Sequence, residues 1–277
     1  MERRWISREP SSPKGGRVDA FTGRTVLLTG AAGGLGRVFA ERLLARGARL
    51  ILTDLDEGVL QELADGAARM QTGGSVLGVI GADLSSIEGC NALFRRCRDI
   101  TPELDVLVNN AGVLTYGYFH ETPAEAWIRV LQVNLMASMQ LSALFLPAMI
   151  ARGRGQLVFM SSVAGFIPTS FETVYSVSKF GVRGFAMALA GEVRVMGVDV
   201  TIVYPFWADT NILKSPSFGS RRAKRPPQLV VLRPEKIVDA ALSGIVKRRL
   251  HVYPDTFSRV SWHLNRLYPI VGRQPVE

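Results

Sequence analysis

The chain alternates short apolar runs with helical stretches, and that alternation limits its fold more than any other feature. The apolar runs fall at 25–29, 49–53, 75–82, 106–109, 156–161 and 198–204. Helical stretches follow them: one running to Arg46, then 57–70, 86–100, 124–152 and 175–196. Strands joined through helices pair in parallel by right-handed crossovers, and a parallel sheet is covered on both faces. The expected fold is therefore α/β: a doubly wound parallel sheet, a three-layer sandwich in a single domain, with ligands at the carboxyl ends of the strands. At 277 residues the chain can bury a core without disulfides or metal, and no metal site is expected.

Features outside this pattern bound the function. Residues 1–22 mix Arg3, Arg4, Arg8, Lys14 and Arg17 with Pro10 and Pro13. They read as a loosely ordered arm, without the apolar core of a signal peptide, ahead of a domain at 23–277. The apolar stretch 136–151 is interrupted by Gln140, Ser142 and Pro147 and is shorter than the roughly 20 residues of a bilayer span. Cys90 and Cys97 lie on one helix about 10 Å apart, too far to bridge. Free thiols fit a reducing compartment, so a cytoplasmic location is expected. Residues 211–277 hold 13 Lys and Arg against 4 Asp and Glu, equal to the whole net charge of +9. Such a surface fits ordinary solvation; no nucleic-acid partner is expected. In the basic C-terminal segment, Phe257, Val260, Trp262, Leu264, Leu267 and Tyr268 stand among Arg259, Arg266 and Arg273. That pattern is expected to pack on the protein, with membrane-surface contact the alternative. The irregular insert at 205–232, with Pro216, Pro226, Pro227 and a basic run at 221–225, is long enough to be functional; 206–232 reads as a substrate loop.

Thr29-Gly30-Ala31-Ala32-Gly33-Gly34-Leu35-Gly36 stands where the first strand ends and the first helix begins. Glycines there permit a tight turn and close approach of backbone to a pyrophosphate, which the helix N-terminus stabilises. Gly30, Gly34, Leu35 and Gly36 are the candidate contacts. Asp54 closes the second strand eighteen residues beyond Gly36. A carboxylate there accepts both adenosine ribose hydroxyls and repels a 2′-phosphate, which favours NAD over NADP. Leu55 supplies no compensating cation, and Arg37 is the one nearby base that argues for NADP. Asp83-Leu84 follows the third strand. Asp83 either meets the adenine amino group or caps the next helix, as Ser85 or Ser86 would. Asn110-Ala111-Gly112 follows the fourth strand and leaves room for a ribose, or forms a turn.

Two further segments carry chemistry: Ser161-Ser162-Val163-Ala164-Gly165, then Tyr175-Ser176-Val177-Ser178-Lys179. With the glycine turn, these motifs make 25–210 resemble the short-chain dehydrogenase/reductase family, in its short, single-domain branch with a Rossmann-type sheet. Tyr175 and Lys179, four apart, share a helix face. An ammonium beneath the phenol would lower its pKa from near 10, so that Tyr175 exchanges a proton with an alcohol or carbonyl oxygen near neutral pH. Ser162, 13 positions before Tyr175, has the spacing of the family's catalytic serine, which holds the substrate oxygen; Ser161 does not. The resemblance makes Asn134 the fourth catalytic residue, disrupting its helix and holding a water that links the lysine to solvent. It also makes Tyr175 and Lys179 cofactor contacts. The family's PGxxxT stretch appears as Pro205-Phe206-Trp207-Ala208-Asp209-Thr210. Pro205 and Thr210 match it, but Phe206 stands where the glycine belongs and must point away from the nicotinamide or narrow the site.

The resemblance implies an oxidoreductase moving hydride between NAD(H) and a secondary alcohol or ketone. The alternatives are an NADP-dependent carbonyl reductase and a non-catalytic dinucleotide sensor on the same scaffold. Tyr116, Tyr118, Phe119, Phe166, Phe171, Phe206 and Trp207 suggest an aromatic substrate wall and a lipophilic substrate. Similar proteins pair the 124–152 and 175–196 helices into a homodimer or homotetramer, and Ala186, Ala188, Ala190 and Gly191 would permit that close packing.

Overall fold

The structure is a computed structural model that describes residues 19–69, 72–223 and 231–267. Strand β1 (Thr25–Thr29) leads into α1 (Gly34–Leu44), β2 (Arg49–Asp54), α2 (Glu57–Arg69), β3 (Ser75–Gly81), α3 (Ile87–Ile100) and β4 (Val106–Asn109). Helices α4 (Ala124–Leu131) and α5 (Ala137–Ala151) flank a π-helical turn at Gln132–Met136 and lead to β5 (Gly155–Met160). Then come α6 (Thr173–Val193), β6 (Val198–Val203), the short pair β7 (Trp207–Ala208) and β8 (Val231–Leu232), α7 (Pro234–Val246), β9 (His251–Val252) and α8 (Thr256–Leu267). Seven strands form one parallel sheet in the order β3-β2-β1-β4-β5-β6-β9, the doubly wound arrangement expected.

The inner strands β1, β2, β4, β5 and β6 are buried on both faces, as their unbroken hydrophobicity requires, whereas the edge strand β3 is half-buried. In β1 the alternation of side chains decides the layer: Val26 and Leu28 pack with Phe39, Leu43 and Ile237 beneath α1 and α7. Leu27 faces the opposite way, with Leu107, Phe145, Leu157 and Leu189 beneath α3, α5 and α6. The crossovers reverse direction between β1 and β4, so a crevice opens above their carboxyl ends.

Three features depart from the sequence reading, and one that the resemblance implied, a break in the 124–152 helix at the π turn, is present. The pair α7 and β9 was not anticipated, although Ile237, Val238, Ala241, Leu242 and Ile245 are buried at helical spacing; β9 has two residues, too few for any alternation to register. Residues 19–22 of the expected arm are packed: the Asp19 carboxylate accepts the Phe21 N–H at 3.0 Å, and the Phe21 ring is fully buried in the core. The rest of that arm, residues 1–18, lies outside the described residues, as do 224–230 with Pro226 and Pro227, and 268–277 with Tyr268 and Arg273. Within the 205–232 insert, β7 pairs with β8, and Tyr116 N–H and C=O bond Pro216 O and Phe218 N at 3.1 and 2.8 Å. The described part of the insert is thereby fastened to the loop after β4.

Helix α8 packs on the protein. Trp262 sits among Phe166, Tyr204 and Tyr253, with the Arg183 guanidinium 4.6 Å above its ring, and Asn265 Nδ2 donates to Phe166 O at 2.9 Å. Phe21→Ala should destabilise the chain by about 3–5 kcal/mol, the usual cost of truncating a buried phenylalanine. Denaturant unfolding measures it; a change under about 1 kcal/mol would return 19–22 to the status of a loose arm.

Candidate active site

The cradle for a dinucleotide is built from backbone. Gly30 has φ +65°, and a methyl group there would meet Ala111 Cα at 2.8 Å. A methyl on Gly36 would collide with the Gly30 carbonyl, and one on Gly34 would lie 2.6 Å from Thr210 Cγ2. The turn, the β4 loop and the 205–210 segment therefore touch through glycines. Helix α1 begins at Gly33 with no side-chain cap and no acid in its first turn, whereas α3 is capped by Ser86, whose Oγ accepts Gly89 N–H at 3.0 Å. Uncapped N–H groups at the crevice floor suit a pyrophosphate. Gly30, Gly34, Leu35, Gly36, Asp54, Asp83, Leu84, Asn110, Ala111, Gly112 and Thr210 all line this crevice, of about 370 Å³.

Its polar groups are fixed in place. The Asp54 carboxylate accepts Ala32 N–H at 2.9 Å and Leu55 N–H at 2.8 Å. Arg37 Nε donates to Ala32 O at 2.9 Å, which sets the guanidinium beside the same turn. Ser86 is the cap of α3, not Asp83; the Asp83 carboxylate instead accepts Ser85 N–H at 2.9 Å, and these bonds hold its pKa below the usual value. Thr29, which the sequence reading passed over, is the clasp. Its hydroxyl donates to Val108 O and accepts the N–H groups of Asn110 and Ala111, both at 3.0 Å, while Asn110 Nδ2 reaches back to Thr29 O and Gly30 O.

Next to the crevice, and sharing Leu35, Asn110 and Thr210 with it, is a cavity of about 320 Å³ lined by Ser162, Tyr175, Lys179 and Pro205. The Ser162 hydroxyl donates to Pro205 O at 3.4 Å, accepts Ala164 N–H at 3.1 Å and lies near enough to the Tyr175 phenol to act on its pKa. Lys179 Nζ donates to Met160 O at 2.9 Å and lies 5.4 Å from the Tyr175 ring centroid. Asn134 lies in the π turn, the local helix disruption that the resemblance implied. Its side chain accepts Val113 N–H at 2.8 Å and donates to Val113 O at 2.9 Å and to Ser178 Oγ at 3.0 Å. Asn134 thus ties the β4 loop to α6 and does not itself line the cavity. All four expected catalytic residues are brought together.

The electrostatics correct one expectation. The Tyr175 phenol is raised, not lowered: burial is the main cause, the Glu172 carboxylate adds to it, and the Ser162 hydrogen bond opposes it. Lys179 is not among the groups that act on the phenol, and burial pushes its own pKa down to about 8. Glu172, absent from the sequence reading, is 3% exposed and pushed up to about 7 by burial. Its signal was its place, three residues before Tyr175.

The aromatic wall is also revised. Of the seven rings expected, only Phe206 and Trp207 line the cavity, where Phe206 meets Phe257 at a tilt of 45° with centroids 4.4 Å apart. Phe206 therefore narrows the site at the position of the family's glycine. Phe166 belongs to the core with Tyr204 and Trp262. Tyr116, Tyr118 and Phe171 pack on one another, with Arg221 over Phe171, and Phe119 is exposed beside Trp127.

The family profile described as short chain dehydrogenase matches residues 24–217. The chain belongs to the short-chain dehydrogenase/reductase family. It is 31% identical over 251 residues to the mouse (Mus musculus) protein named epidermal retinol dehydrogenase 2, covering 90% of this chain and 79% of that one. Among solved members of the family, a short-chain dehydrogenase from Sphingobium yanoikuyae in complex with NADPH superposes with a TM-score of 0.77 at 29% identity, over 92% of this chain and 98% of that one. A short chain dehydrogenase/reductase from Burkholderia phymatum in complex with NAD superposes with a TM-score of 0.79 at 25% identity, over 93% and 98%. As a member of the family, the chain is an oxidoreductase, and its fold binds a nicotinamide dinucleotide.

Glu172 makes stability depend on pH. Its folded pKa, about 7, exceeds its ordinary 4.5, so folding opposes ionisation. The penalty is absent below 4.5, grows as pH rises to 7 and is constant above. Glu172→Gln should therefore gain about 3 kcal/mol on wild type between those pH values. Parallel denaturant titrations at both ends give the difference; equal gaps at both would refute the shift.

Proposed function

We propose that this enzyme exchanges hydride between NAD(H) and a lipophilic secondary alcohol or ketone. The observation that carries the choice of NAD is Asp54, a carboxylate held by two backbone N–H groups at the lip of the crevice, where a ribose 2′-phosphate would meet negative charge. Arg37 supports the second reading, NADP, because its guanidinium is exposed beside the same turn. The lipophilic substrate is supported by the cavity wall, most of whose residues are apolar, Leu114, Ile167, Phe206, Trp207 and Phe257 among them, and by the name of the mouse relative.

The bound nicotinamide supplies the hydride, and in its oxidised form its positive charge favours the phenolate. The chain supplies the rest. Ser162 orients the substrate oxygen towards Tyr175. Tyr175 donates a proton to a carbonyl oxygen during reduction and accepts one from the alcohol during oxidation. Asn134 fixes the β4 loop against α6, and Lys179 fixes α6 against the end of β5.

A homodimer or homotetramer is supported by the outward face of α6, where Val177, Phe180 and Met187 are exposed with Gly184, Ala188 and Gly191. Ala186 and Ala190, expected on that face, turn inward to the core. A reducing, cytoplasmic setting is supported by free, buried Cys90 and Cys97, whose thiols burial pushes up to about 11 and 12.

Tyr175→Phe should lower kcat/KM by roughly 100-fold or more while the Kd for cofactor moves little. Undiminished turnover would end the enzymatic role of this phenol, and tight cofactor binding with no substrate found for wild type would favour the sensor. Asp54→Ala should weaken NADH binding by about 10-fold or more and narrow the gap to NADPH. Fluorescence titration of both cofactors decides it, since tighter wild-type binding of NADPH than of NADH refutes the NAD assignment.

A further inference from the structure

Glu172 has no part in the hydride-transfer chemistry described above, yet it stands at the reacting centre. It immediately precedes α6, on the helix face that carries Tyr175 and Lys179 at spacings of three and four. Its main-chain carbonyl accepts the Ser176 N–H at 2.8 Å, but among the described residues its carboxyl has no hydrogen-bond or ion-pair partner. Nor is the carboxyl sealed in the core, since it forms part of the wall of the 320 Å³ cavity with Ser162 and Tyr175. Lys179, the cation in that wall, is committed to Met160 O. When ionised, Glu172 lies close enough to the phenol to raise it.

An unpartnered carboxyl that is 3% exposed is destabilising. In a cavity that is otherwise largely apolar, it is placed where a bound molecule can satisfy it. We propose that Glu172 determines specificity: its carboxyl receives a hydrogen-bond donor, a hydroxyl or an ammonium, carried by the substrate beside the carbon that exchanges hydride. The enzyme then prefers hydroxy- or amino-substituted alcohols and ketones over the same skeleton without that group. The analogue lacking the donor is rejected because it leaves the buried carboxyl unpaired. This rests on the oxidoreductase reading and names its substrate class.

The test uses the full chain and three ketones on one apolar skeleton: unsubstituted, α-hydroxy and α-amino, with NADH and NADPH. The readout is the ratio of kcat/KM for each substituted ketone to that for the plain one. Wild type should favour a substituted ketone on the order of 100-fold. Glu172→Leu should bring the ratio to within about threefold of unity, because no acceptor remains. Glu172→Gln separates the two donors, since an amide still accepts from a hydroxyl but no longer attracts an ammonium by charge. Should the leucine variant fail to fold, the wild-type ratio and the glutamine variant still decide. A wild-type ratio near unity, or one that both variants keep, overturns the proposal while leaving the oxidoreductase reading intact. No turnover of any of the three in wild type, in either direction and with either cofactor, removes both.

Discussion

The site depends on a clasp between two neighbouring strands whose connections leave in opposite directions. At the carboxyl ends of β1 and β4 the chain must part to open a crevice, and parted strand ends expose N–H and C=O groups that need partners. The Thr29 hydroxyl supplies three of them at once, and Asn110 Nδ2 two more. With the ends held, Gly30 turns back at positive φ, and α1 starts with its N–H groups facing the opening. From there Gly112 carries the frame to the chemistry: a methyl on it would lie 3.4 Å from Asn134 Oδ1 and 3.5 Å from Lys179 Nζ. The crevice and the catalytic face of α6 are thus one rigid assembly joined by backbone contact.

Burial in that assembly determines the direction of the protonation equilibria. The two fixed groups of α6 are taken from water together, and burial moves each towards its neutral form: Lys179 down and Tyr175 up. One N–H of the ammonium is donated to Met160 O, which anchors Lys179 at the end of β5. A neutral phenol in contact with Ser162 is ready to give a proton to a carbonyl. The opposite direction needs the phenolate, which a cationic nicotinamide favours through charge. Glu172 bears on the same balance, since its ionisation raises the phenol further.

The parts that local sequence specifies were legible from it. The strand, glycine turn and helix of 25–44 and the Tyr175–Lys179 pair depend on spacing within a few residues, and the structure places them as read. Failures came where tertiary contact decides. Phe166 and Phe206 are both aromatic and both adjacent to catalytic segments, yet one fills the core against Trp262 and the other meets Phe257 in the cavity. Only the path of α8, from far along the chain, separates them. Ala186 and Ala190 were assigned outward although their helical phase matches Val182 and Leu189, which are buried. The lowered phenol failed for another reason: the reading weighed a nearby charge without the burial that acts on both partners.

Chemistry and selectivity occupy different stretches of the chain. The family profile ends at residue 217, and the residues that line the crevice, with Ser162, Tyr175 and Lys179, all precede that point. The cavity wall does not: Phe257 and Ser261 reach it from α8, which is held down by Trp262 and Asn265 on the far side of Phe166. Phe206 completes this wall only because a side chain replaced the glycine of the family's stretch and found Phe257 to pack on. A ring at position 206 and a helix that returns across the sheet therefore belong together. The ring at the position of the family's glycine is the inner wall of this cavity, with Glu172 and Tyr175 among the polar groups within it.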